Sequence, residues 1–80
     1  MRAYVFVETK TGQAKRVAES LSSLTLKSVR VLTVDTVTGP YDIIAVLEGI
    51  GMEKMGRMIA EDIQKLEGVK KTMSAFAFHA

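Results

Sequence analysis

The chain contains no cysteine and no tryptophan, one proline and one histidine. Without cysteine it has no disulfides, no thiolate metal ligands and no thiol nucleophile, and the lone His79 does not make a metal site by itself. No cofactor, no metal and no catalytic set are therefore expected. Nor is there a run near the roughly 20 apolar residues of a membrane-spanning helix. The apolar segment at the start is interrupted by Glu8 and Lys10, so a secretory leader and a membrane partner are not expected and a cytoplasmic location is. Charge of one sign is also missing. The formal net charge is only +2, with Lys and Arg interleaved among Glu and Asp, so no direct nucleic-acid partner is indicated.

What is present is a hydrophobic content of 48% with 25% charged residues, a composition that folds. At 80 residues the chain is short. A domain of this size buries only about 60% of the surface its unfolded form exposes, so association with other copies is the remaining source of burial.

Ala3 to Val7 is β-branched and aromatic and reads as a first strand, followed by a polar connection from Thr9 to Gly12. Ala14, Val17, Ala18, Leu21 and Leu24 recur at helical spacing, with Lys15, Arg16 and Glu19 on the other side. Val29 to Val37 reads as a second strand, Thr38 to Tyr41 as a reversal, and Asp42 to Glu48 as a third strand. Met55, Met58, Ile59, Ile63 and Leu66 form the buried stripe of a second helix, which Gly68 ends. Val69 to Phe78 closes the chain as a fourth strand. The order β-α-β-β-α-β predicts an α+β, ferredoxin-like fold: a four-stranded antiparallel sheet with two helices on one face.

In that fold one face of the sheet is left without helices, and in a monomer it should be polar. The strands do not alternate that way. Ala3, Val5 and Val7 alternate with Tyr4 and Phe6, and Ile43, Ala45 and Leu47 with Ile44 and Val46. Met73, Ala75 and Ala77 oppose Phe76 and Phe78, while Val29, Val31 and Val37 oppose Leu32 and Val34. Both sets are apolar, and soluble monomers seldom expose such a surface, so a homodimer through the open face is expected.

The segment Val37-Thr38-Gly39-Pro40-Tyr41-Asp42 carries the most specific signal. Gly39 permits close approach of backbone amides to a ligand carboxylate, and Asp42 offers a partner to an ammonium group. One turn thus presents complementary groups to both ends of an amino acid. The plainer reading is a tight turn in which Asp42 accepts local backbone bonds.

Together with Leu66-Glu67-Gly68-Val69 and Lys70-Lys71-Thr72-Met73-Ser74, this segment resembles the effector-binding RAM domain of the Lrp/AsnC transcription regulators, over essentially the whole chain. The resemblance implies a non-catalytic regulatory module, residues 1–80 forming one ligand-binding and oligomerisation domain that lacks the helix-turn-helix part of those regulators. It implies sheet-to-sheet dimers that assemble further, as octamer-like rings, with amino-acid effectors at subunit interfaces and full-length Lrp/AsnC regulators as partners. The implied ligand-binding residues are Thr38, Gly39, Pro40, Tyr41 and Asp42, with Thr72 and Ser74. Two departures stand out: Met73 occupies a position that is often acidic in the family, and Leu24 to Ser28 lacks the usual glycine.

Competing readings are weaker. A small dimeric enzyme of the monooxygenase type, with a pocket between sheet and helices, would draw on Tyr4, Glu8, Glu48 and His79. An ACT-type amino-acid sensor shares the topology. RNA-recognition modules also share it, but their Lys/Arg-Gly-Phe type segment is missing here. Met52, Met55 and Met58 read as core and interface filler rather than a soft-metal site. Gly49-Ile50-Gly51 reads as turn chemistry rather than a phosphate loop.

Overall fold

The hydrophobic spacing resolves into alternating strands and amphipathic helices in the computed structural model, which describes residues 1–25 and 28–78. The elements are β1 (Arg2–Thr9), α1 (Ala14–Ser22), β2 (Val29–Thr36), β3 (Ile43–Gly49), α2 (Met52–Met58), a π-helical segment (Ile59–Ile63) and β4 (Val69–Ala77). The sheet order is β2-β3-β1-β4, with every neighbouring pair antiparallel. This is the expected ferredoxin-like arrangement, with β1 and β3 in the centre.

Period-two alternation decides which side chains the helices cover. Ala3, Val5 and Val7 of β1 and Ile43, Ala45 and Leu47 of β3 are fully buried, and they form one cluster with Val17 and Leu21 of α1 and with Met55, Met58, Ile59 and Ile63. Each large aliphatic side chain so buried contributes about 1.5–3 kcal/mol. Between α2 and β4, Gly56 faces the Phe76 ring, whose edge lies 3.9 Å from where a Cβ would stand, an ordinary packing distance.

The register also fixes the open face. Arg2 pairs with Glu48 and Ala77, Tyr4 with Val46 and Ala75, and Phe6 with Ile44 and Met73. Directly opposed residues share a face. The open side therefore carries Tyr4, Phe6, Ile44, Val46, Met73 and Ala75 at its centre, with Arg2 and Glu48 at one end.

Several expectations are corrected. Simple alternation places Val34 with Leu32 on the face opposite Val29 and Val31. The register of β2 against β3 instead slips between Val31 and Thr33, so Leu32 is the extra residue of a bulge and Val34, opposite Ala45, returns to the helix-covered side. Strand boundaries move too. β1 runs on to Thr9, while Val37 and Asp42 belong to the connection between β2 and β3 rather than to those strands. The second helix does not continue as an α-helix to Leu66. It widens after Met58, where the Gln64 amide donates to the Ile59 carbonyl at 2.9 Å, five residues back. Phe78 lies past the end of β4 and is exposed. The expectations for His79 and for the middle of the Leu24 to Ser28 connection lie outside the described residues.

Gly68 ends the second helical stretch as expected, with φ +96°. It is buried against α1, and its carbonyl accepts the Lys10 amide at 2.8 Å.

Candidate functional site

The β2–β3 connection is built around Asp42. The last ladder pair is Thr36 with Ile43, and the Val37 amide then donates to the Asp42 carbonyl at 2.9 Å. The Asp42 amide donates to the Val7 carbonyl at 2.9 Å, which prolongs the β3–β1 ladder by one bond. Its carboxylate Oδ2 accepts the Thr9 amide at 2.8 Å, standing in for the backbone carbonyl that a longer β3 would have supplied. The partner is 33 residues away in sequence, so the bond pins the loop to β1 and is not a local turn bond.

Between these anchors the chain bulges outward. Gly39 has φ +135°, a conformation that side chains with a Cβ rarely adopt, and nothing lies within 4 Å of where its Cβ would stand. Among the described residues, no protein group accepts from the amides of Thr38, Gly39 or Tyr41.

Two depressions flank the loop. One, of about 420 Å³, lies on the open face of the sheet and is lined by Phe6, Val37, Thr38, Pro40, Tyr41, Ile44 and Met73. The Tyr41 ring packs on Phe6 with centroids 5.6 Å apart, and its hydroxyl donates to Met73 Sδ at 3.5 Å, a weak acceptor. The other, of about 600 Å³, lies between the loop and the start of α1. Its lining is polar and includes Glu8, Lys10, Asp42 and Lys70, with Glu8 and Lys70 paired at 3.3 Å. Pro40 borders both depressions. The loop therefore sits between an apolar hollow and a charged one, the two chemistries an amino acid presents at its side chain and its head group.

The family model of the Lrp/AsnC ligand binding domain matches residues 2–80. The chain belongs to this family. Among solved structures, a Thermus thermophilus protein is 29% identical, with a TM-score of 0.84 and an alignment covering 99% of this chain and 94% of that one. AsnC of E. coli shares the fold at a TM-score of 0.85 and 15% identity, over 99% of this chain and 51% of that one. A transcriptional regulator of Neisseria meningitidis, solved as a complex with L-Met, matches at a TM-score of 0.79 and 16% identity, over 98% of this chain and 49% of that one. The chain thus spans about half the length of these two regulators. No curated protein sequence matches it.

Thr38, Gly39, Pro40, Tyr41 and Asp42 come together in the one loop, whereas Thr72 and Ser74, carried over from the family pattern, lie elsewhere in the chain. Thr72 opposes Val7 and Ser74 opposes Val5, which places both on the helix side of β4. There the Thr72 hydroxyl donates to Gln64 Oε1 at 2.8 Å, and Gln64 Nε2 lies 3.5 Å from the Lys70 carbonyl. Ser74 is exposed at the sheet edge. The row Ile43, Val7, Thr72 crosses two strand spacings, about 10 Å, so β1 separates Thr72 from the loop within one chain. Met73, the residue that departs from the family pattern, is the one that reaches the apolar hollow.

The groups considered for an enzyme are also dispersed. Tyr4 and Glu48 lie on the open face, and Glu8 sits four residues beyond Tyr4, about 13 Å further along β1. Among the described residues no polar or charged residue falls in the buried class, and the space between sheet and helices is filled by apolar side chains.

Sequence reasoning missed Phe6, Ile44 and Met73 as lining residues, and Lys10 and Lys70 on the charged side. Strand alternation put Phe6 and Ile44 on common faces of their own strands. Only the pairing register brings them together beneath the loop.

Proposed function

We propose that the chain is a non-catalytic regulatory module that binds an amino-acid effector at the Val37–Asp42 loop and self-associates through the open face of its sheet. The carrying observation is the loop itself: amides without protein acceptors, held by Asp42 between an apolar and a charged depression. In this reading the amides around Gly39 receive the effector carboxylate and Asp42 faces its ammonium group. The side chain enters the hollow lined by Phe6, Ile44 and Met73. That lining favours an uncharged, apolar side chain.

Self-association supplies the burial that a chain of this size lacks. The apolar centre of the open face, from Tyr4 and Val46 to Phe6, Ile44 and Met73, is the surface that a second copy covers. The hollow opens on that same face, so a bound effector is enclosed by two subunits. Association of such dimers into larger rings, and with full-length Lrp/AsnC regulators, completes the regulatory role.

The test is a panel of L-amino acids scanned by calorimetry and thermal shift. A cognate effector at a hundredfold excess over its Kd stabilises the protein by about 2.7 kcal/mol. Tyr41→Ala, which removes the ring over Phe6, is expected to lose that response while the protein still melts cooperatively. No response to any amino acid would overturn the effector assignment.

A further inference from the structure

The apolar hollow beside the loop, about 420 Å³, draws its lining from three places. Phe6 and Ile44 stand on the central strands β1 and β3, Val37, Pro40 and Tyr41 come with the loop, and Met73 comes from β4. Most of these side chains are fixed. Phe6 has Ile44 on one side of it in the sheet and Met73 on the other, and the Tyr41 ring rests on it with centroids 5.6 Å apart. The loop is tied to β1 through the Asp42–Thr9 bond. Met73 is held least. It stands on an edge strand, is 50% exposed, and meets the Tyr41 hydroxyl at 3.5 Å through a thioether, a weak acceptor. An unbranched chain with three rotatable bonds adapts its shape to whatever fills the space beside it.

No charged side chain lines the hollow among the described residues. The next residues along β1 and β4 on the same side, Glu8 and Lys71, lie about 7 Å further on and oppose one another. A charged ligand side chain in the hollow would therefore give up water and meet no partner, whereas an apolar one exchanges water for Phe6, Ile44 and Met73.

We infer that Met73 is the specificity-determining residue of this hollow, and that it selects an amino acid with a mid-sized aliphatic or thioether side chain. This rests on the effector reading proposed above and adds the class of ligand and the position that sets it. Met73 fixes the polarity of the β4 side of the hollow, where a carboxylate or an ammonium group would reverse the selection. It also fixes the depth, because its contact with the Tyr41 hydroxyl closes the hollow towards β4. A flexible thioether shifts to lie along an aliphatic ligand. A ring demands more room, since the Tyr41 ring already packs on Phe6. Because Met73 is half exposed at the sheet edge, its replacement changes the hollow without opening the core under the helices.

Four ligands and four proteins test the inference. Calorimetric Kd values are measured for L-leucine, L-phenylalanine, L-lysine and L-glutamate on the native chain, Met73→Ala, Met73→Glu and Met73→Lys. The native chain is expected to bind leucine most tightly, with lysine and glutamate at least about 100-fold weaker. Met73→Glu should move the lysine-to-leucine preference about tenfold towards lysine, and Met73→Lys the glutamate-to-leucine preference about tenfold towards glutamate. Met73→Ala removes three heavy atoms from the β4 side and should move the phenylalanine-to-leucine preference about tenfold towards the ring. Each preference is a ratio within one protein, so a general loss of folding or association does not produce opposite shifts. Met73→Ala introduces no charge and keeps the test open should a charged residue on the open face prevent folding. A native chain that binds no amino acid would overturn the effector reading itself. A native chain that binds lysine or glutamate best would overturn the ligand class. Ratios that stay at their native values, or variants that lose all ligands alike, would refute the role of Met73 and leave the effector reading standing.

Discussion

Replacing Asp42 with alanine removes the carboxylate that accepts the Thr9 amide and should loosen the loop that the proposed site depends on. The bond is 2.8 Å long and part-buried, with a carboxylate as acceptor. Hydrogen bonds to charged groups contribute about 1.5–3 kcal/mol, and partial access to water lowers that to about 1–2 kcal/mol here. A domain of this size loses about 4–8 °C in Tm for each kcal/mol, so Asp42→Ala should melt about 5–15 °C below the native chain without ligand. Asp42→Asn keeps an oxygen in place for Thr9 and discards only the charge, so its melting temperature should fall by less than half as much. The two variants part again when effector is added: Asp42→Asn retains the loop but lacks a carboxylate for the ligand ammonium, and its thermal shift should shrink. Thermal melts of the three proteins, with and without ligand, give all the comparisons. If Asp42→Ala melts with the native chain, the Asp42–Thr9 bond does not hold the loop. If Asp42→Asn keeps the full ligand shift, Asp42 does not face the ligand.

Two further substitutions test the frame around the site. Gly68→Ala forces a Cβ into a left-handed backbone, 2.9 Å from both Gln13 Cβ and Val17 Cγ2, and should cost about 2–4 kcal/mol, read as a lower urea midpoint with an unchanged slope. Thr72→Val removes the 2.8 Å bond to Gln64 and should cost about 1 kcal/mol without altering the effector response, because Thr72 lies on the helix side of β4; a lost response would place Thr72 in the site.

The candidate site was legible only in part. Gly39 and Asp42 stood out because a glycine beside a proline and an aspartate between two strand patterns is a turn with chemistry attached. What Asp42 does there was not legible, since its partner Thr9 was read as part of a connection. Thr9 is instead the last residue of β1, and its amide donates to the Asp42 carboxylate, which stands where the next ladder acceptor would be. Met73 was noticed only as a departure from a pattern. Its position under Tyr41 depends on β4 pairing with β1 so that Met73 opposes Phe6. The same pairing sent Thr72 and Ser74 to the other side of the strand.

The sequence by itself determined the order of elements, the side of each helix that is buried and the apolar character of both sheet faces, because those follow from spacing along one segment at a time. Tertiary structure alone decided the bulge at Leu32 that returns Val34 to the core, the widening of the second helix after Met58, and the register that gathers Phe6, Ile44, Tyr41 and Met73. The bulge and the register depend on how one strand pairs with another far along the chain, where a shift of one residue would turn every side chain of a strand to the opposite face, whereas the widening is a local change in which the Gln64 amide reaches back to Ile59.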